Sequence, residues 1–88
     1  MPSYLVEMYL AGGHERHLAA CRRRARSAAA ELSQVSFDRS IHVPEDEICF
    51  FVFDAPSGRE AALAAQRAGL EPARIVEAVL STEQAGCS

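Results

Sequence analysis

A chain of 88 residues, 49% hydrophobic and 24% charged, suits one globular domain and is too short to enclose a large pocket by itself. The net charge of -3 and a pI near 5.5 give no overall attraction to nucleic acid or to anionic membranes, so neither is expected as a partner. No charged-then-apolar leader and no apolar run near the roughly 18 residues of a membrane span can be read, and Cys21, Cys49 and Cys87 are an odd set without Cys-x-x-Cys spacing; reduced thiols and a cytoplasmic location are expected.

The first element, "SYLVEMYL" from Ser3 to Leu10, is short, almost wholly apolar and carries two tyrosines, which favours a strand. Gly12 and Gly13 break it. From Glu15 to Leu32, apolar or small residues at Leu18, Cys21, Ala25, Ala28 and Leu32 give the three-and-four spacing of an amphipathic helix, with Arg22, Arg23 and Arg26 outward and Arg24 nearby. No aromatic residues interleave with these arginines, so they read as a solvated face. "VSFDRSIHV" then alternates, with Val35, Phe37, Ile41 and Val43 on one side and Ser36, Asp38, Ser40 and His42 on the other. After "PEDE", the segment "ICFFVF" (Ile48 to Phe53) is apolar on both faces and fits a covered central strand. Pro56 ends it, Ser57 and Glu60 form a Ser-x-x-Glu capping box, and Gly69 closes the second, alanine-rich helix. "RIVEAVL", from Arg74 to Leu80, is the last strand.

Strand, helix, strand, strand, helix, strand predicts an α+β fold, the ferredoxin-like βαββαβ sandwich, with a four-stranded antiparallel sheet and two helices on one face. A single domain is expected over residues 1–82, with a flexible tail over 83–88. The other sheet face would stay open. With Tyr4, Val6, Met8 and Leu10 toward the helices, that face is expected to carry Leu5, Glu7 and Tyr9, joined by Cys49, Phe51 and Phe53 and by Ile75, Glu77 and Val79. So much exposed apolar surface predicts a homodimer through the open face.

A two-residue turn at Glu45 and Asp46 would pair Val43 with Ile48 and set His42 opposite Cys49. Both are then expected on the open face near Glu7 and Glu77. Imidazole, thiol and carboxylate together suit nickel, zinc or copper, which makes His42, Cys49, Glu7 and Glu77 the candidate metal ligands. The competing reading is a packed, hydrogen-bonded pair, and a slip of one residue would move His42 to the other face. A second-choice site is the His-x-x-His of "GGHERH", His14 and His17, on one side of a helix start. There is no Gly-x-Ser-x-Gly, no phosphate loop and no Cys-x-x-Cys, so no catalytic residue can be named.

"YLVEMYLAGG", "CFFVFDAPS" and "RAGLEPARIVEAV", spread over residues 3–80, resemble a family of small bacterial proteins of unknown function that includes an actinobacterial nickel-binding protein. The family pattern is a Val-Glu-Arg strand, Leu-Pro-Gly, Cys-x-x-(Tyr or Phe)-(Glu or Asp)-Ala-Pro, Arg-Ala-Gly and Arg-Ile-x-Glu. The resemblance implies a ferredoxin-like fold, a homodimer and nickel binding, and it singles out Glu7, Cys49, Asp54 and Glu77. The chain departs from the pattern at Met8, where many members have Arg, at Ala11, where Pro is usual, and at Ala64 and Ala65, where members often carry His or Asn. The expected function is therefore a small homodimeric metal-binding protein, with nickel as the transition metal. The alternative is a dimeric α/β-barrel-type enzyme or small-molecule binder that uses the cleft on the open face, with Glu7 or Glu77 as acid or base.

Overall fold

The computed structural model describes residues 1–10 and 15–79, with Glu15 described by its backbone alone. The Gly12–Gly13 turn, His14, Cys87 and the expected tail over 83–88 lie outside the described residues. The elements are β1 (Ser3–Tyr9), α1 (Glu15–Ala30), β2 (Ser36–Val43), β3 (Ile48–Asp54), α2 (Gly58–Arg67) and β4 (Arg74–Ala78), with one 3-10 turn at Pro44–Asp46. The strands form one antiparallel sheet in the order β2-β3-β1-β4. This is the expected ferredoxin-like arrangement, with the first and third strands central. No helix among the described residues is long and apolar enough to cross a membrane.

The second helix begins and ends where its residues dictate. Ser57 is the N-cap of α2, its hydroxyl accepting from the Glu60 amide at 3.5 Å, and Gly69 follows the helix at φ 73°, a conformation that favours glycine. Ala61, Ala64, Ala65 and Ala68 are buried, so α2 lies close over β1 and β4, while α1 covers β2 and β3 with Leu18, Cys21, Ala25, Ala28 and Ala29. The helices supply small groups, and the sheet supplies the large ones. Phe51 and Phe53 are fully buried, and Phe37 meets Phe53 edge-on with ring centroids 5.5 Å apart. Arg26 of α1 lies over the outer side of Phe37, 5.4 Å from its centroid.

The register corrects three expectations about faces. Val6 stands opposite Phe51 and Met8 opposite Cys49, so Cys49, Phe51 and Phe53 face the helices and form the core. They do not line the open face. "ICFFVF" has no polar side to orient it, and only its pairing with β1 decides. On β4, Ile75 pairs with Val6 and Glu77 with Tyr4, which puts both on the helix side; the open side carries Arg74, Val76 and Ala78. The third correction concerns β2. Its pairing steps from Phe37–Phe53 directly to Arg39–Val52, so Asp38 is an extra residue in a β-bulge. The bulge reverses the alternation: Phe37 faces the helices, while Ile41 and Val43 face away. The turn between β2 and β3 also differs, being the 3-10 turn closed by Glu47 in the left-handed conformation, φ 54°. The expected register nevertheless forms, Val43 with Ile48 and His42 with Cys49.

Candidate functional site

Antiparallel partners share a face, so the open face can be built row by row from the register. Its centre is Leu5, Val52 and Val76, flanked by Phe50, Ile48, Ile41 and Val43. Tyr9 and Ile41 are the most exposed of the large apolar groups there, at 67% and 45%. Three polar pairs on this face form within the chain. Arg74 Nε donates to Glu7 Oε1 at 3.0 Å, Ser3 Oγ donates to Asp54 Oδ1 at 2.7 Å, and Arg39 pairs with Asp38 at the bulge. The Glu7 side chain is only 15% exposed although its partner is 67% exposed, because Glu7 lies on a central strand among apolar neighbours and Arg74 starts an edge strand. Arg74 was not among the candidate residues. Its signal was available, since aligning β4 against β1 puts the two opposite each other.

The four first-choice metal ligands do not converge. His42 and Cys49 are direct cross-strand neighbours, as expected, but on the helix face. Glu7 is on the opposite face. Glu77 shares the helix side yet sits on β4, three strand spacings across the sheet from His42 and four residues along it, about 20 Å away. Among the described residues no group of three or more His, Cys, Asp or Glu side chains is arranged to hold a metal ion. Asp54, which the resemblance singles out, bonds Ser3 at the far end of β3. Ala64 and Ala65 are fully buried against the sheet, so α2 brings no polar group to this side where the family pattern often has His or Asn.

The His42–Cys49 pair has a chemistry of its own. Nε2 of His42 is buried and has no hydrogen-bond partner among the described residues. The Cys49 thiol is fully buried, its nearest acceptor the Phe50 carbonyl at 3.9 Å, and burial pushes its pKa from an ordinary 9.0 to about 11. The neighbouring Cys21 thiol adds to the rise, and Arg22 opposes it. An unpaired imidazole nitrogen beside a protonated thiol is costly to bury, on the order of 1–3 kcal/mol. It is also the free donor that a metal or a water would satisfy.

His17, of the second-choice pair, is exposed on α1, while His14 lies outside the described residues. His17 lines a cavity of about 530 Å³ bounded also by Met8, Tyr9, Arg24, Glu71 and Ala73. Arg24 is held there by two contacts: Nε donates to the Ala68 carbonyl at 2.8 Å, and Nη2 reaches Cys21 Sγ at 3.4 Å. The sequence pattern had placed Arg24 only among solvated arginines.

Neither a family model nor a curated protein matches the chain. Among solved structures the chain is similar to SCO4226 from Streptomyces coelicolor A3(2), at 17% sequence identity over 91% of this chain and 99% of that one, with a TM-score of 0.79. Coverage of nearly the whole of both chains supports the ferredoxin-like architecture, and at this identity the likeness carries the fold alone.

Proposed function

We propose that this chain works as a homodimeric binding protein, two copies joined sheet to sheet through their open faces. The observation that supports this most directly is the apolar face centred on Leu5, Val52 and Val76, which no other described element covers and on which Glu7 is paired with Arg74 and Asp54 with Ser3. A second copy presents the same mostly apolar surface, on which Glu7 is paired with Arg74 and Asp38 with Arg39, so stacking brings few unmatched charges to the centre of the face. The Glu7–Arg74 pair then lies at the dimer interface. Sedimentation of the wild-type chain is expected to give a dimer and of Ile41→Lys a monomer that keeps its secondary structure. A monomeric wild type at tens of micromolar would refute the assembly.

A second reading, transition-metal binding with nickel as the ion the resemblance implies, is favoured by the orphaned Nε2 of His42 beside the Cys49 sulfur. Nickel and zinc bind imidazole and thiolate, so a metal here would have to displace the proton that burial holds on Cys49. Two donors leave a four-coordinate site half filled, so the remaining ligands come from outside this pair. Titration calorimetry with nickel and zinc on reduced, tag-free protein tests it. Stoichiometric binding lost in His42→Ala and kept in His14→Ala/His17→Ala supports the reading; binding that survives His42→Ala removes it. The rival small-molecule or enzymatic site on the open face retains Glu7 alone of its two carboxylates, because Glu77 faces the other way.

A further inference from the structure

We propose that the cavity between α1, the end of β1 and the segment leading into β4 is a binding site for a small zwitterion of the α-amino acid class. The cavity is about 530 Å³, within the range of small-molecule sites. It lies at the sheet margin, where β4 begins opposite Glu7 and the last two residues of β1, Met8 and Tyr9, run on without a β4 partner.

Its charges are the argument. Arg24 and Glu71 line the same cavity, and no ion pair joins them. The cavity therefore holds a guanidinium and a carboxylate apart, each available to a ligand. Arg24 is preorganised, since its Nε bond to the Ala68 carbonyl and its Nη2 contact with Cys21 fix the guanidinium plane and leave Nη1 without a partner among the described residues. A guanidinium already held in place donates from Nη1 to a carboxylate with less entropy lost than a free one. Glu71 is the counterpart for an ammonium group. His17, two helical turns before Arg24 and on the same side of α1, adds an imidazole that can donate or accept. Met8 and Ala73 supply an apolar wall for a side chain. Both groups are exposed, so the preference comes from pairing: a ligand with only one charge meets one end, and a ligand carrying both meets both, which should favour the latter.

The experiment uses the whole chain and three probes of the same carbon skeleton: L-leucine, 4-methylpentanoate, which lacks the amine, and 3-methylbutylamine, which lacks the carboxylate. Amide chemical shifts are followed during titration with each. Leucine is expected to shift Tyr9, His17 and Ala73 saturably, and each single-charge analogue to bind at least about tenfold more weakly. Glu71→Gln should weaken leucine and the amine while sparing the acid; Arg24→Gln should weaken leucine and the acid while sparing the amine. Arg24 also supports the loop through Ala68, so if that variant misfolds, Glu71→Gln with the three probes decides the matter. No saturable shift with leucine, equal binding of leucine and 4-methylpentanoate, or leucine binding unchanged by Glu71→Gln would each overturn the proposal.

Discussion

Cys49 shows how one side chain takes its character from the pleat. Placed toward the helices by its pairing with Met8, it is fully buried, and burial holds its thiol protonated up to a pKa of about 11. Because the folded value lies above the unfolded one, the stability linked to this proton is complete below pH 9.0 and is lost as pH climbs toward about 11. Melting temperatures measured across that window should fall, and Cys49→Ala should fall less steeply while starting lower by about 1 kcal/mol for the small void. Iodoacetamide at neutral pH should label Cys49 only in denaturant. His42 is the other residue whose surroundings are unusual: a water accepting from Nε2 would appear as an imidazole proton slow to exchange, whereas a metal ion there would leave no proton on that nitrogen. The Glu7–Arg74 pair, half exposed in the single chain, contributes at most about 1 kcal/mol there.

At the scale of elements, the turn between β2 and β3 carries visible strain. Glu47 adopts φ 54° with a β-carbon, its amide bonds the Pro44 carbonyl at 3.1 Å, and its own carbonyl accepts from Leu10 at 2.7 Å, so the conformation is fixed from both sides. Relief of the left-handed penalty predicts that Glu47→Gly raises stability by about 0.5 kcal/mol, after the entropy that glycine adds to the unfolded chain; urea midpoints would measure it, and a loss of stability would count against the strain. The helices were legible in advance because their signals are local: a three-and-four apolar spacing for α1, a serine cap and a closing glycine for α2. The strands were legible as strands, and the His42–Cys49 register followed from the length of the turn. What could not be read was the face. "ICFFVF" is apolar on both sides and "RIVEAVL" alternates without contrast, so periodicity cannot say which side is inside. The Asp38 bulge compounds this, since one extra residue leaves composition unchanged and inverts every side chain before it relative to those after.

For the whole molecule, the Cα trace is only 18 Å thick in its shortest direction, a single sheet with a single helical layer. Such a slab buries one face of its sheet under its helices, and the other face, not covered by any other described element, is apolar. If two copies stack there, the melting temperature of the wild type should rise with protein concentration, as mass action requires of a dimer, while that of Ile41→Lys should not. An unpaired ammonium on each apolar face weakens association by at least about a hundredfold, which is roughly 3 kcal/mol.

The order of elements, the antiparallel α+β architecture and the central place of the first and third strands followed from the sequence itself, because hydrophobic period, caps and turn residues act over a few neighbours. The candidate site did not. The gathering of His42 with Cys49 but not with Glu7 or Glu77, the pairing of Glu7 with Arg74, and the Arg24–Glu71 cavity depend on which strands meet and in which register. That is fixed by the packing of residues distant in sequence, and a shift of one position there exchanges the inside of a sheet for its outside.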